Sequence, residues 1–405
     1  MIRRRLYIVL GLVLVLAQGT WAQNATSSPS SRFGYGELND NIPVAYRAMG
    51  GVSTGMRSNH YINPSQPASY TACDTTSFLF DVAVGVQWSN YQDALGEGNR
   101  VNGNLQYVTA AFPIYKQWIA FSAGILPYSS MGYSFQSNDT VGGYPYSVTY
   151  AGQGGISQVY GGLSFNICNW FALGANVYYM FGQEANTTVL SFEEASATGS
   201  QMYKQMTVNS WRFRYGAQFF HTFAEKHTLV LGATFENRAK LKSEYLQFEL
   251  MTEDSVSKHD TGFELPMTYS VGVSYAYAGR LTVAADYSFQ GWRDVNYFGQ
   301  KGGLADRYRL SVGAEYRHNP MGRNYAQRMY WRAGASVIRS YVGTSNRPDF
   351  TVSAGFGLPL RTTMSMVNVE LEYQRRNSMA NIAENCLLLT IGAAINENWF
   401  FKRRL

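Results

Sequence analysis

The feature that most constrains this chain is an alternation of apolar side chains with polar or small ones, which recurs from about Leu79 to the C-terminus. In Leu281–Gln290, for example, every odd-numbered residue is apolar and the even-numbered residues are polar or small. Successive side chains of a strand point to opposite faces, so the pattern predicts strands between an apolar and a wet environment. Because it recurs about a dozen times, with short turns and long polar loops in alternation, it predicts a transmembrane outer-membrane β-barrel.

The spacing of these runs indicates about 14 antiparallel strands and an all-β fold, and a bacterial single-chain barrel is expected to have an even number. Two of the long polar loops are predicted at Tyr128 to about Gln153 and at Gln183 to Gln205. Long and short connections between the predicted strands alternate regularly along the chain. This predicts a protein of the bacterial outer membrane with its long loops outside and both termini in the periplasm.

The first residues have the composition of a secretory signal peptide. Three arginines, Arg3–Arg5, precede the apolar stretch Leu6–Ala17, and small residues before Gln23 offer a cleavage site. The apolar stretch is shorter than the ~20 residues that a spanning helix needs, which argues against a membrane anchor. We therefore divide the chain into a signal peptide (residues 1–22), an N-terminal segment (23–76) and a transmembrane barrel (77–405).

The N-terminal segment shows no sustained alternation. It begins with a stretch rich in Ser, Asn and Pro, for which a disordered periplasmic tail is the alternative. It then carries apolar residues such as Ile42, Tyr46 and Ile62, which give it enough apolar surface to pack against a partner. We predict that it forms a hatch or plug inside the barrel. The motif residues of this plug are predicted to be Met49, Gly50, Gly51, Asn63 and Pro64.

Charged and amide side chains recur on the strand faces opposite the apolar ones. A charge on the lipid side at mid-membrane costs several kcal/mol, so these side chains are predicted to face the lumen. They are either ion pairs that hold the plug and close the pore or a polar lining that steers a solute, and the sequence does not separate the two. The predicted lumen-lining residues are Arg212, Arg214, Gln218, Asp286, Glu315, Arg317, Glu370 and Glu372.

The composition argues against several classes of function. Lys and Arg exceed Asp and Glu by 6, and three of these charges leave with the signal peptide, so there is no case for nucleic-acid binding. The 3 cysteines and 5 histidines are scattered, without CxxC or HExxH spacing, so we expect no metal and no cofactor. Gly51–Gly55 matches the nucleophile elbow of serine hydrolases but lacks the strand and helix which that mechanism requires. We expect a glycine-rich turn there, no catalytic residue and no enzyme.

The alternatives to a membrane barrel are a soluble β-sandwich and a β-propeller. A sandwich would have a uniformly polar outer face, whereas the second face here is often Gly, Ala or Ser. The apolar faces also end in Tyr, Trp or Phe at many strand tips, as interfacial girdles require. A repeat of about 40 residues, which would mark propeller blades, is not found.

Two short motifs carry a resemblance to a known family: Ala48-Met-Gly-Gly-Val52 and, further on, Tyr61-Ile-Asn-Pro-Ser65. They resemble the hatch of FadL/TodX-type outer-membrane transporters for hydrophobic compounds, where a Met-Gly-Gly-Ala stretch precedes Asn-Pro-Ala. Val52 and Ser65 replace the small Ala that is usual there. Phe112-Pro113, followed by Gly124-Ile-Leu-Pro127 and Gly132, is similar to the family's second and third strands.

The resemblance, to a Bacteroidetes-like member of the family, implies a plugged barrel of fourteen strands. It also implies passive uptake of a hydrophobic, fatty-acid-like small molecule that leaves sideways through a gap in the wall. The expected partners are then outer-membrane lipid and a hydrophobic ligand. One alternative is a docking or shuttle component of a type IX-like protein secretion system, with a secreted or periplasmic protein as its partner. Another is a nonspecific porin, against which the plug argues.

Overall fold

A computed structural model describes residues 26–92, 96–192, 199–249, 255–259, 262–297, 300–320, 322–342, 347–360, 364–377 and 382–399. The predicted signal peptide lies outside this part of the chain. Four short helical turns are Pro29–Arg32, Val44–Arg47, Pro67–Ala72 and Tyr325–Arg328. The strands are β1 (Glu37–Leu38), β2 (Ser77–Gln92), β3 (Glu97–Tyr115), β4 (Ile119–Val141), β5 (Tyr144–Cys168), β6 (Phe171–Phe192), β7 (Ser200–Phe223), β8 (His227–Glu236), β9 (Ala239–Lys240), β10 (Ser243–Glu249), β11 (Ser255–His259), β12 (Glu264–Leu265), β13 (Thr268–Tyr277), β14 (Leu281–Gln290), β15 (Arg307–Tyr316), β16 (Tyr330–Arg339), β17 (Asp349–Pro359), β18 (Met366–Arg376) and β19 (Ala383–Asn398).

Strands β2–β8 and β13–β19 form a closed antiparallel barrel of 14 strands. The last strand closes onto the first, with pairs running from Ala383↔Gln92 to Asn398↔Ser77. Strand β8 pairs directly with β13, so the intervening β9–β12 lie outside the ring. The predicted all-β outer-membrane barrel and its strand count are confirmed.

The outer surface of the barrel is an apolar band. Alternate side chains of each strand point outward, so Val84, Val86 and Trp88 of β2 are exposed while Asp81 is buried. Exposed aromatic residues mark both edges of the band, for example Trp170 in the turn between β5 and β6 and Tyr179 further along β6. This arrangement fits a lipid-facing band roughly 25 Å tall between two interfacial girdles. Within the described residues, no helix has both the length and the apolar character to cross a bilayer.

Four strands continue well past the membrane at the end where the longer connections lie. Strands β4, β5, β6 and β7 have 23, 25, 22 and 24 residues, more than twice the ~10 that a tilted spanning strand needs. Their outer parts, together with β10 and β11, form a projecting sheet that we call the shelf. The prediction of loops at residues 128–153 and 183–205 is therefore wrong. The loss of apolar alternation marks where the chain leaves the membrane, whereas cross-strand pairs such as Phe135 with Tyr150 keep the strands paired in water.

The N-terminal segment lies inside the barrel. From residue 42 to residue 73 most of its side chains are buried, and they pack against lumen-facing residues of both halves of the ring. The first described residues, Thr26 and Ser27, lie towards the long-loop end, because the Ser27 hydroxyl is hydrogen-bonded to the side-chain amide of Asn102 in the outer part of β3. The chain termini themselves lie outside the described residues, so their periplasmic placement stays a prediction.

Candidate functional site

The wall accommodates the N-terminal segment because its inner surface is built from glycine at the points of closest approach. A Cβ atom at any of these glycines would collide with atoms of residues 44–68. Close approach of one backbone to another is a common reason for glycine in a strand. The fit leaves no space for side chains between segment and wall at these points. The eight glycines, which we call the glycine ring, are Gly174, Gly216, Gly232, Gly272, Gly313, Gly334, Gly355 and Gly392.

The predicted motif Met49-Gly50-Gly51 lies against this ring. Met49 is fully buried, and its backbone is packed on Gly313 and Gly334. Gly50 and Gly51 have φ angles of +74° and +79°, which L side chains rarely adopt, so the turn requires glycine. The Gly50 N–H donates to Ser353 Oγ over 2.9 Å. The motif is thus a tight backbone turn fixed to the wall.

The Asn63-Pro64 pair forms a second anchor on the opposite side of the lumen. Asn63 Nδ2 donates to the Ser53 carbonyl over 2.8 Å, which ties two turns of the segment together. The Pro64 carbonyl accepts hydrogen bonds from Asn176 Nδ2 (3.0 Å) and the Tyr178 hydroxyl (3.1 Å). The rigid proline corner is therefore held by polar groups of β6.

Four of the predicted lumen-lining residues lie on two strands: Arg212, Arg214 and Gln218 on β7 and Asp286 on β14. Arg212 and Arg214 both pair with Glu236 of β8. Gln218 Nε2 donates to the carbonyls of Thr54 and Met56 over 3.2 and 3.0 Å. Arg214 also donates to the Pro64 carbonyl over 3.2 Å, so Arg214 and Gln218 are structural contacts between the wall and the segment.

Asp286 of β14 receives three consecutive backbone N–H groups of the segment. Ser53, Thr54 and Gly55 donate to its carboxylate over 2.5, 2.6 and 3.3 Å. The Gly51–Gly55 stretch is therefore a glycine-rich turn wrapped around a carboxylate, with the Ser53 backbone committed to that contact. Charge-assisted hydrogen bonds of this kind are about twice as strong as neutral ones.

The remaining predicted residues lie on the facing side of the lumen. Glu370 is buried, and its carboxylate lies 3.5 Å from the Arg47 guanidinium of the segment. The Glu372 carboxylate lies 3.6 Å from the same guanidinium. Glu315 pairs with Arg332 at 2.7 Å, and Arg332 also donates to the Tyr61 hydroxyl of the segment.

Arg317 lies just past the end of β15. It is half-buried and donates to the Tyr330 hydroxyl. It lines the short-turn mouth of the barrel rather than the middle of the lumen.

Sequence reasoning missed the ion pairs that hold the first part of the segment. Asp40 forms a forked contact with Arg307 (2.8 Å) and a second with Arg309 (2.6 Å) of β15. Glu37 pairs with Arg376 of β18. Burial opposes ionisation of Asp40, but the two arginines outweigh it and hold its pKa well below the ordinary value of 3.8. Asp40 carried no local signal, because its partners follow more than 260 residues later in the chain.

The barrel wall is interrupted between β3 and β4. These strands pair from Tyr115↔Ile119 only as far as Val108↔Ile125, so β3 residues 97–107 and β4 residues 126–141 do not pair with each other. We call this opening the wall gap. Pro127, which has no N–H to donate, lies where β4 leaves β3, and the register with β5 shifts beside it.

The N-terminal segment fills the wall gap. Strand β1 pairs with β4 through Glu37↔Ser130 and Leu38↔Ser129. Above it, Ser31 Oγ bonds the backbone of Gly132 on β4, and Ser27 reaches Asn102 on β3. Residues 26–38 thus bridge the two unpaired strand edges without being part of the continuous wall.

Tyr35 is the centre of an apolar cluster behind the wall gap. Its side chain is fully buried and contacts the rings of Trp292, Phe263 and Tyr297 at centroid distances of 5.6, 6.3 and 5.3 Å. Its hydroxyl donates to the Glu264 carbonyl over 3.0 Å. Side chains of the wall and loops complete the cluster: Tyr128, Ile156, Met180, Met206, Val208, Leu241, Leu265, Val295, Tyr341 and Val342.

The glycines on either side let Tyr35 reach this cluster. Gly34 and Gly36 have φ angles of +60° and +75°. A Cβ on Gly34 would meet the Tyr341 ring at 2.7 Å, and one on Gly36 would meet the Ser130 carbonyl oxygen at 2.5 Å. The sequence Gly-Tyr-Gly is therefore a turn that inserts one aromatic ring into an apolar cluster.

A polar cavity of about 160 Å³ lies beside the first part of the segment. Its lining includes Asp40, Arg47, Arg309 and Arg376. The cavity suits water and ions rather than an apolar molecule. Within the described part of the chain, no group of three or more His, Cys, Asp or Glu side chains lies close enough together to hold a metal ion.

Several solved structures are similar to this fold. The structure is similar to the toluene transporter TbuX of Ralstonia pickettii, with 14% sequence identity and a TM-score of 0.59, over 88% of this chain and 98% of that one. It is also similar to the Pseudomonas putida toluene transporter TodX (14% identity, TM-score 0.61, 91% of this chain and 100% of that one). A FadL homologue of Pseudomonas aeruginosa gives 14% identity and a TM-score of 0.58, over 87% of this chain and 98% of that one.

These structures confirm the predicted resemblance at the level of the fold. No curated protein matches the sequence. The BamG family model matches residues 1–405, so the chain belongs to the BamG family.

Proposed function

We propose that this protein is a passive outer-membrane transporter for hydrophobic small molecules, with its N-terminal segment as a hatch and the wall gap as a lateral exit. The observation that carries the proposal is that residues 26–38, rather than direct pairing of β3 with β4, close the wall between these two strands. The transport activity named for TbuX and TodX is consistent with this fold. No enzymatic activity is proposed.

The wall gap lies at a depth that suits release into lipid. The paired part of β4, Ile119–Ile125, has seven residues. At about 3.3 Å per residue and a tilt of about 40°, they lift the strand by roughly 17 Å. The gap therefore begins above the middle of an apolar band roughly 25 Å tall. A hydrophobic molecule that leaves there enters the outer leaflet without crossing water.

The space for such a molecule is the one that Tyr35 occupies. The polar cavity beside Arg309 is lined largely by charged, amide and hydroxyl side chains, so it suits an apolar ligand poorly. The cluster around Tyr35 does, and it lies directly behind β1 and the gap. In the proposed cycle the ligand replaces the Tyr35 ring, residues 26–38 leave the gap, and the ligand moves out between β3 and β4.

A reversible disulfide between the N-terminal segment and the barrel wall tests the proposal. In a background with Cys73, Cys168 and Cys386 replaced by serine, Ser27→Cys and Asn102→Cys bring two thiols to the positions of a side-chain contact of 2.9 Å. Uptake of toluene and of a long-chain fatty acid is measured in cells producing the double variant. Uptake is expected to stop under oxidation and to return after reduction.

Each single-cysteine variant is the matched control and should transport under both conditions. Undiminished uptake by the oxidised double variant, with the cross-link verified by mass spectrometry, would exclude the gap as the exit. A response to toluene alone or to the fatty acid alone would identify the substrate class.

A second candidate is protein docking, and the shelf is the observation that favours it. The part of β4 beyond Met131 has an unpaired edge, and Asp139 is its one charged residue. This part also carries the aromatic residues Tyr133 and Phe135, whose rings are in contact. A long edge strand of this kind is a template for a partner's strand. Copurification of a stoichiometric surface protein, lost on deletion of the shelf, would support docking. A steady large ion current in planar bilayers would instead support a nonspecific porin.

A further inference from the structure

The short-turn mouth of the barrel holds a pocket that none of the functions above uses. Its volume is about 510 Å³, and it lies between the N-terminal segment and the wall. The segment supplies Arg57, Ser58, Asn59, Thr71 and Ala72 to the lining. The turns and strand ends of the wall supply Gln117, Asn166, Asn169 and Phe220. A ligand in this pocket would therefore contact the N-terminal segment and the barrel wall at the same time.

Arg57 is the charged residue of this pocket. Its guanidinium donates to the Ala68 carbonyl over 2.9 Å and to Thr71 Oγ1 over 3.0 Å. Two longer contacts of 3.4 Å reach Gln218 Oε1 and Asn166 Oδ1. All of these acceptors are neutral oxygens, and they fix the plane of the guanidinium.

The positive charge of Arg57 is not balanced within the described residues. No carboxylate there lies within the 4.0 Å of an ion pair, whereas Arg47, Arg332 and Arg376 each have an acidic partner. Burial lowers the pKa of Arg57 to about 10, so the side chain remains charged at neutral pH. A half-buried cation without a counter-ion is costly, and an incoming anion removes that cost.

The rest of the lining favours the same chemistry. The face of the guanidinium lies over the Phe220 ring at 4.0 Å, and an anion that approaches in the guanidinium plane would take the place of the two contacts of 3.4 Å to Gln218 and Asn166. Ser58, Asn59 and Asn169 add hydroxyl and amide groups around the mouth. A guanidinium cation with neighbouring amide and hydroxyl donors is a common arrangement for binding a carboxylate or a phosphate.

We propose that this pocket is an oxyanion site, open to the short-turn side, which binds a small carboxylate or phosphate and thereby fastens the N-terminal segment to the wall. The site is independent of the apolar cluster and the wall gap. Its occupancy would make opening of the segment depend on anions on that side of the membrane.

Hydrogen exchange tests the proposal in the purified full-length protein in detergent. Sodium acetate and inorganic phosphate are each compared with sodium chloride at the same ionic strength, and exchange is followed in residues 57–72. An anion that binds only the closed form slows opening by the factor 1 + [L]/Kd, about tenfold at a concentration ten times Kd. The slowing is expected in the wild type and in Arg323→Gln, an exposed arginine of the same mouth outside the pocket.

Two variants decide whether Arg57 is responsible. Arg57→Gln should lose the response, with heat-modifiable gel mobility showing that its barrel is intact. Asn169→Asp, which places a carboxylate of the wall in the pocket, should show slow exchange without added anion and no further response. A response to acetate alone assigns a carboxylate, and one to phosphate alone assigns a phosphate. Equal exchange in all three salts, or an undiminished response in Arg57→Gln, would overturn the proposal.

Discussion

Replacing Tyr35 by alanine should release the first part of the N-terminal segment and create a site for an apolar molecule. Removal of a fully buried aromatic ring typically costs about 3–5 kcal/mol. The hydrogen bond from its hydroxyl to the Glu264 carbonyl adds about 1 kcal/mol. Every 1.4 kcal/mol is a factor of ten, so opening of residues 34–40 should become more frequent by about three to four powers of ten.

Hydrogen exchange of the peptide covering residues 34–40 measures this change directly. Tyr35→Phe is the matched control, since it keeps the ring and loses only the hydroxyl hydrogen bond, a loss of about 1 kcal/mol or roughly fivefold in exchange. Toluene should bind the space left in Tyr35→Ala, as benzene binds an engineered apolar cavity of about 150 Å³. It should therefore restore part of the lost protection.

Two results would refute this reasoning. If Tyr35→Ala exchanges no faster than Tyr35→Phe, the ring does not hold the segment in place. If toluene leaves the exchange of Tyr35→Ala unchanged while the segment opens as expected, the cluster around Trp292 and Phe263 does not accept an apolar ligand, and the proposed path through it fails.

Three further predictions concern the packing of the N-terminal segment on the glycine ring and the ion pairs of Asp40 with Arg307 and Arg309, which we call the latch. Gly334→Val should displace the segment from the wall and raise ion conductance in planar bilayers, whereas the lipid-facing control Ala333→Val should not. Asp40→Asn leaves two arginines without their carboxylate, at a cost of about 3–5 kcal/mol, and should expose residues 26–41 to protease. Because the pKa of Asp40 is depressed, the wild type should keep this latch above pH 4 and lose it progressively below, while Asp40→Asn should show no such dependence. Deletion of residues 34–69 should raise conductance, and an unchanged current would mean that the segment does not plug the pore.

The sequence predicts the barrel well because strand alternation can be read within about ten residues, and because contact with lipid requires the outward-facing side chains of every spanning strand to be apolar. Asp286 shows both the strength and the limit of that signal. Its position in the alternation indicates the lumen face, but its partners at Ser53–Gly55 lie more than 230 residues earlier in the chain. A contact between distant segments leaves no periodic trace in either of them.

The glycine ring and the shelf were missed for different physical reasons. Lumen glycines such as Gly313 and Gly334 look like ordinary small residues of a polar face until the opposing backbone of Met49 is in place. The sequence predicts loops for the outer parts of β4–β7 because strands in water need no apolar face towards lipid. Their pairing is visible only when the register from Tyr146↔Phe192 onward is known.

The two ways in which the segment is held explain how a lateral exit is compatible with a sealed pore. Residues 44–68 are fixed by backbone contacts with the glycine ring and by hydrogen bonds to Asp286, so moving them would break contacts on many strands at once. Residues 26–41 are held by ion pairs, by one aromatic ring and by the short pairing of β1 with β4. In the proposed cycle a ligand replaces the second set of contacts while the first set remains in place. Opening of the wall gap therefore does not require opening of the pore, and uptake should proceed without a rise in ion conductance.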